Sequence, residues 1–197
     1  LEYLFGFYFM EGGKAVFKPF WAHDHDEEKL TFQEVMDFII NHLHSNPKAH
    51  IYHYNHYEET ALKRLAAQYG TREAEVDDLL RGRKLVDLYK VVREAIRVSE
   101  PGYSIKNLEA FYMKKRIAEV ATAGDSIVVY EEWRKTQDPK SLQNISDYNE
   151  DDCRSTLLLR DWLCSLRLPD MYWFELEAEL ITEDKLQARQ EAEENLL

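Results

Sequence analysis

Cysteine is scarce in this chain: Cys153 and Cys164 are the only two among 197 residues. They fall in a stretch that reads as one helix, about three turns apart, which is too far for a disulfide. Reduced thiols fit a reducing compartment, so a cytoplasmic location is expected. Long apolar runs are also missing. A stretch such as Ile127 to Tyr130 is far short of the roughly 20 residues that a helix needs to cross a bilayer, so no membrane partner is expected. The N-terminus lacks the basic-then-apolar pattern of a secretory signal. Positive charge is in deficit, with 25 Lys+Arg against 37 Asp+Glu and a formal charge of −12. Half of that deficit lies between Phe174 and Leu197. The mildly acidic remainder argues against holding duplex DNA mainly by charge, but not against an enzyme whose acids bind metal ions.

What is present is enough for a substantial core: 45% of residues are hydrophobic and 13% aromatic. A chain of this length buries roughly 70% of the surface it exposes when unfolded, so it needs no metal or disulfide staple. The pattern predicts residues 1–168 as one domain and 169–197 as an acidic linker or helical tail. Glu2 to Met10 and Ala15 to Trp21 read as a hairpin closed at Glu11-Gly12-Gly13. Asp24 to His44 reads as an amphipathic helix, in which Thr31 to Glu34 is either a capping box or part of a longer helix. A short strand at His50 to Tyr54 precedes a helix at Glu58 to Tyr69, which Gly70 stops. A helix at Glu73 to Leu80, a strand at Lys84 to Leu88 and a helix at Tyr89 to Ile96 follow. Ser104 is expected to cap a helix through Tyr112, Asp125 one through Lys135, and Asp138 a long helix from Pro139 to about Leu166. Alternation of strand and helix defines an α/β fold.

The long helix carries the most informative residues. At about 100° per residue, Ile145, Tyr148, Asp152, Thr156, Leu159 and Leu163 share a face, which places Asp152 within an apolar stripe. An unpaired buried carboxylate costs several kcal/mol or more, so Asp152 needs a cation, a donor or a metal ion. Tyr148 stands one turn earlier. Glu58 opens the helix after one strand and Asp87 closes another, both at strand ends. Each also has a plainer reading, Glu58 as complement to a helix N-terminus, Asp87 as a cap and Asp152 as a salt-bridge partner. The seven histidines lie between His23 and His56, but His50, His53 and His56 flank a strand on differing faces without cysteines beside them, which argues against zinc.

The string Tyr148-Asn-Glu-Asp-Asp152 matches the Tyr-x-x-x-Asp third motif of DEDD-type 3′→5′ exonucleases of the tyrosine subclass. Asn55-His-Tyr-Glu58, directly after a strand, resembles their second motif, Asn-x-(Phe/Tyr)-Asp. With IYHYNHYEETALKRL, LVDLYKVVREAI and YSIKNLEAFY, residues 2–168 resemble the ribonuclease H-like domain of RecB-family nucleases, often fused to a helicase. The resemblance implies a mixed β-sheet with antiparallel first strands, flanked by helices. It also implies two divalent ions, Mg²⁺ or Mn²⁺, held roughly 4 Å apart by carboxylates for phosphodiester hydrolysis. Asp152 would bind metal, Glu58 bind or position the second ion, Tyr148 orient the attacking water, and Asn55 support the strand end or substrate. Asp87 would support the site from behind. Lys106 and Lys63 are candidate phosphate contacts, with solvation of a helix face as the alternative.

Two departures accompany the resemblance. Glu58 stands where aspartate is usual. The first strand of the family carries Asp-x-Glu, and this chain begins where that strand should end, so the motif I strand is expected to be missing and this stretch alone inactive. Asp24-His-Asp26 lies at a helix start and reads as a cap rather than a substitute. The implied substrate is DNA or RNA, single-stranded. The rival expectation is a catalytically dead ribonuclease H-like module that binds nucleic acid or a protein.

Overall fold

The computed structural model describes residues 1–113 and 123–171. Contacts divide the chain into Leu1–Leu166 and Arg167–Leu197. Of the second unit only residues 167–171 are described, and they include a turn in which the Met171 N–H donates to the Leu168 carbonyl at 3.1 Å. The aromatic patch at Tyr172 to Phe174 and the acidic tail lie outside the described residues.

The first unit opens with strands β1 (Leu4–Glu11) and β2 (Lys14–Trp21), paired antiparallel from Leu4 opposite Trp21 to Glu11 opposite Lys14. Gly12 and Gly13 both have positive φ, 56° and 80°. That is the backbone a two-residue hairpin turn demands, and glycine adopts it without a Cβ clash. Helix α1 (His25–Ser45) starts at Asp24, whose side chain accepts from the Glu27 N–H at 2.8 Å. Thr31 to Glu34 therefore lies inside α1, and Asp24 is the cap. Helix α2 (Tyr57–Tyr69) ends on Gly70 in the left-handed conformation, and α3 (Glu73–Arg81) follows.

Strands β3 (Ile51–His53) and β4 (Leu85–Asp87) pair in parallel, with α2 and α3 as the crossover that a parallel pair requires. Helices α4 (Leu88–Ala95), α5 (Ile105–Tyr112), α6 (Ala123–Thr136) and α7 (Pro139–Ser165) complete the unit. Ser104 and Asp138 cap α5 and α7 as expected. Helix α6 begins earlier than expected, so Asp125 sits in its first turn, where a carboxylate still meets the positive end of the helix dipole. No helix among the described residues is long and apolar enough to cross a membrane.

The architecture is thus mixed α/β, antiparallel first and parallel afterwards. Among the described residues the four strands form two separate pairs, β1-β2 and β3-β4, rather than one continuous sheet. Helix α7 packs against both β1 and β3 and ties the pairs together. One core gathers Phe32, Val35, Met36 and Ile39 of α1 against Leu62 and Leu65 of α2 and Val76 and Leu79 of α3. A second joins Leu88 and Val92 of α4, Leu108 of α5 and Leu159 of α7. Burial of such apolar area stabilises the fold by roughly 25 cal/mol per Å².

Candidate functional site

The site region is built from the ends of the parallel strands and the middle of α7. In register, His53 closes β3 opposite Asp87, which closes β4. The chain beyond β3 turns at Asn55 with φ of 75°, a left-handed conformation that asparagine tolerates better than most residues. Both sides of that residue are held. Its N–H donates to Asp87 Oδ1 at 2.9 Å, and its carbonyl lies 2.6 Å from His53 Nδ1. Its own side-chain Oδ1 accepts from the His56 N–H at 2.9 Å and stands 2.7 Å from His56 Nδ1. Asp87 Oδ1 accepts a second bond, from the Tyr89 N–H at 2.9 Å, and so caps α4 while it fixes the neighbouring turn.

Glu58 follows in the first turn of α2. Its side chain is 49% exposed, and its Oε2 stands 3.5 Å from His53 Nδ1. His53 itself is buried. Burial disfavours a charged ring, but bonds to Glu58 and the Asn55 carbonyl, with the charges of Glu58 and Asp87, outweigh it and raise the imidazole above its ordinary value.

On α7, Tyr148 is buried and Asp152, one turn on, is half-buried; the buried positions of the helix are Ile145, Tyr148, Ser155 and Leu159. Asp152 thus lies within the seam by spacing, yet keeps part of its surface open. Lys106 of α5 sets its ammonium 5.4 Å from the centre of the Tyr148 ring, a cation–π distance. Next to Asp152, the Cys153 thiol donates to the Gly6 carbonyl of β1 at 3.5 Å. Burial above all, then the charges of Asp152, Glu58 and Glu150, push this thiol up to about 12.

The remaining sequence candidates have plainer surroundings. Lys63 lies on α2, with its ammonium 2.5 Å from Glu59 Oε1 one turn earlier, and it is 53% exposed. Asn55 has its side-chain oxygen engaged by its own turn. No group of three or more His, Cys, Asp or Glu among the described residues is arranged to hold a metal ion. Glu58 and Asp152 alone are too few for the oxygen-rich shell of Mg²⁺ or Mn²⁺, so these residues do not by themselves fit the ion pair that the resemblance implies.

Sequence reasoning passed over three residues here. His53 was legible only as a histidine beside a strand; its burial and its place opposite Asp87 come from strand pairing. Cys153 carried no signal beyond its neighbour Asp152. Ser155 is fully buried, bonded to Glu109 Oε1 at 2.8 Å and to the Tyr112 hydroxyl at 2.9 Å. Its spacing, seven positions from Tyr148 and four from Leu159, was the available clue.

No curated protein and no solved structure matches the chain. A family model does match: the RNase_H_2 family, described as RNase_H superfamily, covers residues 1–164. That span takes in every strand among the described residues, α1 to α6 and all but the last residue of α7, Glu58, Asp87, Tyr148 and Asp152 included, and the chain belongs to the RNase H superfamily.

Proposed function

We propose that the chain is the nuclease domain of a metal-dependent 3′→5′ exonuclease acting on DNA or RNA, of the DEDD type and tyrosine subclass, in the manner of RecB-family nucleases. The observation that carries this reading is the RNase H superfamily match over residues 1–164, within which Tyr148 and Asp152 stand one turn apart on α7 and Glu58 opens α2. Asp152 and Glu58 would supply two of the metal carboxylates, and Tyr148 would orient the attacking water. Lys106, above the Tyr148 ring, meets a substrate phosphate, as Lys63 does further out on α2. Asn55 and Asp87 hold the turn between β3 and the helix on which Glu58 stands. The resemblance implies further ligands on an Asp-x-Glu strand, a motif that none of the four strands among the described residues carries. Mg²⁺ or Mn²⁺ would supply the charge stabilisation and water activation of phosphodiester cleavage. A cytoplasmic location, a helicase domain in the same full-length protein and a preference for single strands belong to the same reading, with residues 1–168 as the nuclease domain and the acidic stretch after it as a tail.

A second reading has an observation in its favour. The absence of a three-ligand cluster among the described residues fits a ribonuclease H-like module that binds nucleic acid or a protein without cutting. Digestion of 5′-labelled single-stranded DNA and RNA by the full-length protein with Mn²⁺ separates the two. A ladder of shortening products, abolished by Asp152→Asn while the fold is kept, is expected; undiminished cleavage by that variant overturns the assignment. Absence of cleavage from a folded, Mn²⁺-saturated protein supports the binding module.

A further inference from the structure

The geometry points to His53 as the positioning residue for Glu58: from a buried place at the end of β3 its Nδ1 grips the Asn55 carbonyl at 2.6 Å and stands 3.5 Å from Glu58 Oε2. This inference rests on the nuclease reading and deepens it, because it names what aims one of that site's carboxylates. Glu58 projects from the first turn of α2, and its direction depends on how the chain leaves β3. That exit is the left-handed turn at Asn55. A non-glycine residue pays for such a backbone only where its surroundings impose it. Here the imposition comes from two neighbours in strand register, Asp87 on the Asn55 N–H and His53 on the Asn55 carbonyl.

The same imidazole nitrogen faces the carboxylate that the turn delivers. A half-exposed glutamate otherwise samples several rotamers and loses their entropy on binding a ligand. A buried ring cannot follow it, because packing and the Asn55 bond lock the ring in place. His53 thus sets both the backbone from which Glu58 springs and one contact of its carboxylate. It is not a catalytic residue, since nothing places it against a reacting atom. Its work is to keep Glu58 in the direction that the Asn55 turn gives it, and errors of about 1 Å in such placement cost as much as 100-fold in rate.

The test compares His53→Leu, His53→Asn and Glu58→Gln, singly and with each histidine change combined with Glu58→Gln, in the full-length protein. An asparagine amide can donate from close to the place of imidazole Nδ1; leucine cannot. His53→Leu is expected to lower kcat on single-stranded DNA by about 10- to 100-fold with KM nearly unchanged. His53→Asn is expected to recover most of that loss, and His53→Leu to add little once Glu58→Gln is present. An equal loss from His53→Leu with and without Glu58, or a His53→Asn variant as impaired as His53→Leu, overturns the proposal. Urea unfolding of the same set reads the contact without activity: non-additive effects of the changes at 53 and 58 are expected, and strict additivity overturns it. If Glu58→Gln alone leaves cleavage intact, the role of Glu58 in the nuclease falls, while the urea cycle still decides the contact. Should His53→Leu not fold, His53→Gln replaces it, with its amide carried past the Nδ1 position.

Discussion

Gly6→Ala puts the junction between β1 and α7 to the test. A Cβ on Gly6 would stand 1.8 Å from Asn149 Oδ1, 3.0 Å from Asn149 Cγ and 2.9 Å from Phe17 Cε2. Ordinary carbon contacts lie at about 3.5–4.0 Å, so Asn149 must vacate its place and Phe17 must yield. Glycine stands here for close approach, as it often does in strands. Overpacking of this kind costs about 1–3 kcal/mol, less about 0.4–1 kcal/mol regained from a stiffer unfolded chain. A net loss of about 1–2 kcal/mol corresponds to a Tm lower by about 2–8 °C in a domain of this size. Thermal unfolding followed by circular dichroism measures it. Because the worst contact is with one side chain, Asn149→Ala opens the space, and Gly6→Ala made in that background is expected to lose less than half as much. A Gly6→Ala protein that melts with the parent, or a double variant showing the full sum, would refute the reasoning and place α7 further from β1 than described.

Asp87→Ala removes the acceptor shared by the Asn55 and Tyr89 amides. Loss of a helix cap together with a second bond is expected to cost about 1–3 kcal/mol in urea unfolding, whereas Asp87→Asn keeps the oxygen and most of the stability. Glu28 is fully buried, and although burial raises its carboxyl, bonds from the Glu2 N–H, the Tyr69 hydroxyl and His25 prevail and hold it below the ordinary glutamate range. With a depressed value in the folded state, the unfolded chain binds the proton more readily. Its contribution is therefore complete above the ordinary value of about 4.3 and drains away as pH falls through the lowered one. Unfolding free energies measured from neutral pH to about pH 3 are expected to fall less steeply in Glu28→Gln than in the parent; identical slopes would show that Glu28 does not carry the effect.

Local order was readable because it is written in neighbours along the chain. The Gly12-Gly13 turn, the caps at Asp24, Ser104 and Asp138, and the stop at Gly70 all follow from backbone groups that need partners within a few residues. Helix faces were readable for the same reason, and Ile145, Tyr148 and Leu159 are buried as their spacing requires. The start of α6 escaped notice, because an acid serves a helix in its first turn as well as ahead of it. The exposure of Asp152 also escaped it: periodicity says which residues share a face, but not where the covering element stops.

By itself the sequence determined the alternation of strands and helices, the positions of Glu58 at a helix start and Asp87 at a strand end, and the pairing of Tyr148 with Asp152 on one helix. Only the tertiary structure decided that β3 and β4 pair with His53 opposite Asp87, and that Asp87 holds the Asn55 turn. Only there does α7 lie against both strand pairs, with the Cys153 thiol beside Asp152 donating to the Gly6 carbonyl of β1. The physical reason is that turns and faces follow from covalent neighbours and a helical repeat, whereas strand register and the meeting of distant charges follow from which surfaces pack together, and composition and spacing leave that choice open.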